Sequence, residues 1–119
     1  MRRFVLIAVL ASLLGGSAGH AATTYPARVQ AKSDEYSIVL SRQKVPAGLV
    51  KIEHVNFGED PHDLKLKRIG GTHTYAFSKV PAGGREVRTF RLRAGSYHVW
   101  CAVSGHRAKG MHAMLRVTR

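Results

Sequence analysis

Trp100-Cys-Ala-Val-Ser-Gly-His-Arg-Ala-Lys-Gly-Met-His112, WCAVSGHRAKGMH, contains the only cysteine of the 119-residue chain. His106 follows Cys101 by five residues, and Met111 follows His106 by five more. The flanking segments alternate in polarity. In SYHVWC (96–101), Tyr97, Val99 and Cys101 share one face and His98 and Trp100 the other. In MHAMLRV (111–117), Met111, Ala113, Leu115 and Val117 share a face opposite His112 and Arg116. Successive side chains of a strand point to opposite sides. The stretch therefore reads as two strands joined by a loop, with Cys101 ending one on its core side and Met111 beginning the next on its core side.

The same pattern extends outward. Short runs rich in Val, Ile, Tyr and Phe are separated by turn signals at PAG (46–48), FGEDP (57–61), IGG (69–71), PAGG (81–84) and AGS (94–96). No segment after the N-terminal run keeps a 3.6-residue period. Regularly spaced short strands predict an all-β sandwich or barrel, with about eight strands near 27–32, 36–41, 49–56, 62–68, 74–78, 86–92, 96–101 and 111–118. In HDLKLK (62–67), His62 lies in phase with Leu64 and Leu66 and so faces the core. His54 belongs to a strand of ambiguous phase and is read as a half-buried packing residue.

The N-terminus, with basic MRR, apolar FVLIAVLASLL and small-residue GGSAGHAA, has the layout of a secretory signal peptide. Residues 1–21 are expected to be a cleaved leader and residues 22–119 one mature domain, periplasmic or secreted, with no remaining membrane span. The formal charge of +12 falls to +10 without Arg2 and Arg3. Such a field favours acidic partners. Nucleic acid is not expected, because the chain is exported and its basic residues alternate with apolar ones.

Exported proteins pair their structural cysteines, and a lone one cannot pair within the chain. The options are an intermolecular bridge, an inert buried thiol, a nucleophile or a metal ligand. A thiolate, imidazoles and a thioether together suit copper, and a His2Cys set with a weak axial Met is the blue-copper arrangement. On the Cys-x4-His-x4-Met loop, its GH (105–106) and GM (110–111) steps, and NFGEDPHDL (56–64) upstream, the chain resembles the small cupredoxins over residues 49–119, most closely those of rusticyanin and sulfocyanin type.

The resemblance implies a Greek-key β-sandwich carrying one type 1 copper ion that cycles between Cu(II) and Cu(I). His62, Cys101 and His106 would be its strong ligands and Met111 its axial one. It also implies an electron port at the exposed edge of His106, flanked by Arg107 and Lys109 as a basic docking rim. Family members carry Asn after the first histidine and Ser or Thr after the cysteine, whereas this chain has Asp63 and Ala102. The usual side-chain pair linking the ligand loops is thus not present in its family form. Asn56 and Asp63 are the candidates to support the ligands from behind, Asn56 alternatively as a turn cap. The leading functional expectation is electron transfer, by a monomer, to an acidic redox protein such as a cytochrome or oxidase. A copper carrier or store using the same ligands is the alternative. Catalysis is not expected, since the chain lacks the histidine clusters of a multicopper oxidase and the second cysteine of a binuclear centre.

Overall fold

The structure is a computed structural model that describes residues 15–16 and 25–119. The proposed leader falls almost wholly outside them. The described residues contain no helix, and none long and apolar enough to cross a membrane. They form nine strands: β1 (Ala27–Asp34), β2 (Ser37–Leu40), β3 (Lys44–Pro46), β4 (Gly48–Asn56), β5 (Lys65–Arg68), β6 (Thr74–Ala76), β7 (Arg85–Leu92), β8 (Gly95–Trp100) and β9 (His112–Thr118).

The strands make two sheets, ordered β2-β1-β4-β7 and β3-β9-β8-β5-β6. The β1–β4 and β3–β9 pairs are parallel and the others antiparallel. Each sheet turns its apolar alternate residues toward the other. Val29, Ala31, Val50, Ile52 and Leu92 from the first meet Val45, Leu66, Tyr97, Val99, Leu115 and Val117 from the second, all 3% exposed or less. At roughly 25 cal/mol per Å² of apolar surface buried, such side chains are the main source of stability. Tyr97 is the largest of them, and its hydroxyl donates to the Arg93 carbonyl at 2.8 Å, so its polar end is satisfied.

Three sequence expectations change. A ninth strand, β3, occupies Lys44–Pro46, between the strands expected over 36–41 and 49–56. It pairs only with β9, and an edge position tolerates a proline that cannot donate to a ladder. The strand expected over 62–68 is regular only from Lys65; His62 makes an isolated bridge with Val80 instead. His54 is fully buried rather than half-buried, in phase with Val50, Ile52 and Asn56. Its Nε2 lies 2.9 Å from Ser33 Oγ, while its Nδ1 has no protein partner.

Burial pushes the His54 pKa from 6.5 down to about 4. The folded state then binds fewer protons than the unfolded state between those values, so stability is full above pH 6.5 and is lost as pH falls toward 4. The loss amounts to about 3 kcal/mol. Denaturant unfolding should show this slope, and His54→Gln should lower stability at pH 7 while flattening it. Identical slopes in the two proteins would refute the assignment.

Candidate metal centre

The three polar side chains His62, Cys101 and His106 meet at one end of the sandwich, with 0%, 0% and 7% exposure. Each reaches that point for a local reason. Cys101 lies just past β8, where its phase with Tyr97 and Val99 carries it inward. His62 is fixed by the two-way backbone bridge to Val80, with N–O distances of 3.1 and 2.8 Å. His106 sits in the tight loop 102–110, where Gly105 and Gly110 adopt φ of 78° and 126°, values open to glycine at little cost. The Cys101 amide donates to the Met111 carbonyl and the Met111 amide to the His106 carbonyl, both at 3.1 Å. One short loop thus ties three of the four sulfur and nitrogen residues together, and Met111 is fully buried beside them.

The donor atoms form a small triangle. Nδ1 of His62 and Nδ1 of His106 are 3.2 Å apart, and they stand 3.9 and 3.8 Å from Cys101 Sγ. Nitrogen and thiolate ligands bind a first-row divalent ion at about 2.0 and 2.3 Å. Arranged trigonally around a common centre, such atoms would be separated by about 3.5–3.7 Å. The observed spacing is close to this, so the residues fit one ion held by two imidazoles and a thiolate. Burial raises the Cys101 thiol pKa, opposed by the backbone amides of Val103 and Asp63. A bound cation reverses that burden, because a coordinated thiol gives up its proton.

The ligand loops are joined without a side chain at position 102. Asp63 Oδ1 accepts from the Ala102 amide at 2.6 Å, so the loop of the first histidine and the loop of the cysteine are joined by a carboxylate and a main-chain donor. No side chain at 102 is needed. Asn56 is a loop cap and not that link. Its Nδ2 donates to the Asp60 and Val80 carbonyls at 2.8 and 3.1 Å, and its Oδ1 accepts from the Gly58 amide at 2.8 Å.

Arg107 and Lys109 are exposed, with Arg107 4.8 Å from the centroid of Trp100 and Lys109 4.5 Å from that of Tyr36. His73, His98 and His112 are exposed and lie outside the cluster. The edge of His106 is less open than the resemblance implied, since Tyr36 packs edge-on against it at 5.2 Å and Asp60 Oδ2 lies 3.8 Å from its Nε2.

Sequence reasoning missed Glu35. Its carboxylate accepts from His62 Nε2 at 2.9 Å and from the amides of Asp60 and Glu59 at 2.7 and 3.1 Å. The Asp60 amide above all, then the Glu59 amide and the His62 ring, holds its pKa down to about 2. The segment SDEY (33–36) carried no motif, and only folding brings it to the site.

Asn56→Ala removes three hydrogen bonds from a buried site and should cost about 2–3 kcal/mol. Chemical denaturation of the metal-free protein checks this; a loss below 0.5 kcal/mol would mean that the 57–61 loop does not need its cap.

No protein-family model matches the chain, and no curated protein does either. Solved structures do. Reduced auracyanin from Roseiflexus castenholzii superposes with a TM-score of 0.67 at 18% identity, over 81% of this chain and 100% of that one. Rusticyanin from Thiobacillus ferrooxidans gives 0.66 at 16% identity, over 81% and 79%. Auracyanin A, a "blue" copper protein from Chloroflexus aurantiacus, gives 0.60 at 16%, over 79% and 100%. The nine strands are therefore those of the cupredoxin β-sandwich.

Proposed function

We propose that this protein is an extracytoplasmic electron carrier with one type 1 copper ion held by His62, Cys101 and His106, with Met111 as the weak axial ligand. The observation that carries the reading is the triangle of buried donors, Nδ1, Nδ1 and Sγ, turned toward one point within 3.9 Å of one another. The cupredoxin fold around it supports the same reading, as does the description of Auracyanin A, similar in fold, as a "blue" copper protein. Copper bound there supplies a one-electron couple.

The chain's own residues do the rest. The short 102–110 loop and the Val80 bridge hold the donors in place, so little must move when charge changes. The apolar shell of Leu64, Val99 and Met111, each 1% exposed or less, excludes water. Burial of the donors favours retention of the ion over its delivery, and the sequence has none of the Met-rich or His-rich tracts suited to storing metal, which sets the copper carrier or storage reading second. A strong competing chelator separates the two: a carrier should surrender the ion readily and an electron-transfer protein slowly.

Residues 1–21 would direct export, and residues 22–119 would form the mature protein, acting as a monomer. The partner would be an acidic redox protein, such as a cytochrome or oxidase, met at the rim of Arg107 and Lys109. Charge distribution supports this choice on the side of Arg107, which packs on Trp100 at the end of β8. All seven acidic residues lie outside the five strands of the sheet that carries β8, while those strands contain Lys44, Lys65, Lys67, Arg68 and Arg116.

Copper(II) added to purified metal-free protein should give an intense colour that ascorbate bleaches. Cys101→Ser should abolish it, and Met111→Leu should keep it with a shifted potential. Colour that survives Cys101→Ser would end the proposal. Electron transfer to an acidic partner should slow as salt rises, since the screening length falls from about 10 Å at 0.1 M to about 3 Å at 1 M. Arg107→Glu with Lys109→Glu should slow the low-salt rate further, and a rate indifferent to both changes would remove the basic rim from the account.

A further inference from the structure

The turn between β1 and β2 reaches the metal centre from the sheet that contributes none of its donors. We propose, on the copper reading above, that Glu35 in this turn is a positioning residue: its carboxylate locks the His62 ring with Nδ1 toward the ion and biases the site toward Cu(II). An ionised carboxylate accepts hydrogen bonds and cannot donate them. The 2.9 Å contact between Glu35 Oε1 and His62 Nε2 therefore places the imidazole proton on Nε2. In a neutral ring the lone pair is then on Nδ1, the atom that faces Cys101 and His106. A carboxylate behind a ligating histidine fixes its tautomer and orientation and strengthens it as a donor.

The carboxylate is itself held. Oε1 also accepts from the Asp60 amide and Oε2 from the Glu59 amide, so the loop leading into His62 is wrapped around it. Gly58 completes the cradle. It is buried, and a Cβ built on it would collide with the Glu35 carboxylate group. The next residue of the turn, Tyr36, packs edge-on against His106 with ring centroids 5.2 Å apart. One turn thus bears on both imidazoles, but only His62 receives a carboxylate at hydrogen-bond distance; the nearest to His106 is Asp60, at 3.8 Å. A fixed negative charge one imidazole away from the ion favours the more highly charged oxidation state, which lowers the reduction potential.

The test uses the full-length protein with Glu35→Gln, Glu35→Ala and Gly58→Ala, each metal-free and copper-loaded. In the metal-free wild type, nitrogen NMR should find His62 as the Nε2–H tautomer, and Glu35→Ala should mix its tautomers. With copper, Glu35→Ala should release the ion to a chelator 10–100-fold faster, the usual scale for such partners in affinity. Glu35→Gln keeps an acceptor oxygen but not the charge. It should preserve the tautomer while changing the Cu(II)/Cu(I) affinity ratio about tenfold, a potential rise of about 59 mV. Gly58→Ala should displace the carboxylate and reproduce Glu35→Ala, and should add nothing in the Glu35→Ala background.

A wild-type His62 that carries its proton on Nδ1 would overturn the proposal. So would a Glu35→Ala protein with wild-type tautomer and potential. Should the wild type bind no copper at all, the copper reading falls by itself, and the metal-free tautomer measurement still decides whether Glu35 orients His62.

Discussion

The structure depends on a constraint that is costly in isolation. Two imidazole nitrogens and a thiol are buried within 3.9 Å of one another at one end of a β-sandwich. Polar atoms removed from water normally find partners inside the protein. Here the three donor atoms face one another, and at most one or two of their mutual contacts can be hydrogen bonds in any one protonation state. A metal ion that accepts all three at once resolves the conflict. The rest of the fold serves to keep these atoms from relaxing apart.

Three different attachments do this, and they come from different parts of the chain. The 102–110 loop binds Cys101, His106 and Met111 through main-chain hydrogen bonds, so its geometry depends little on which side chains fill it. The Asp63–Ala102 contact joins the first histidine's loop to the cysteine's loop. The Glu35 carboxylate reaches across from the opposite sheet and gathers Glu59, Asp60 and His62. Both joining groups are carboxylates in a chain with only seven acidic residues and 19 Lys and Arg. Four of the seven (Glu35, Glu59, Asp60 and Asp63) lie in the segments around this end of the molecule. The local charge there is thus unlike the basic surface elsewhere, with Arg107 and Lys109 at its rim.

His54 shows that burial of a histidine is not by itself a mark of chemistry. Its ring is as buried as that of His62 and makes one hydrogen bond, to Ser33. It packs beside Phe77, with ring centroids 6.0 Å apart, and the metal centre's donor cluster does not include it. What distinguishes His62 is a ring with a carboxylate behind it and other donors in front.

Much of the design was legible in order along the chain. The spacing of Cys101, His106 and Met111 is local, and strand alternation at 62–67, 96–101 and 111–117 gives the inward face without knowledge of the partner strands, because the period of a pleated strand is set by covalent geometry. The all-β class followed from the same alternation and its turns. The ninth strand did not, since a three-residue edge segment ending in proline has too little pattern to separate from a turn. The roles of Glu35, Gly58 and Asp63, and the depth of His54, were decided only by tertiary structure. Each depends on a contact far along the chain, Gly58 with Glu35, Glu35 with Glu59 and the amide of Ala102 with Asp63 among them, or on which face of β4 the opposite sheet covers. A sequence records the donors and acceptors along one chain, but the pairing of atoms far apart in that chain exists only once the two sheets have closed.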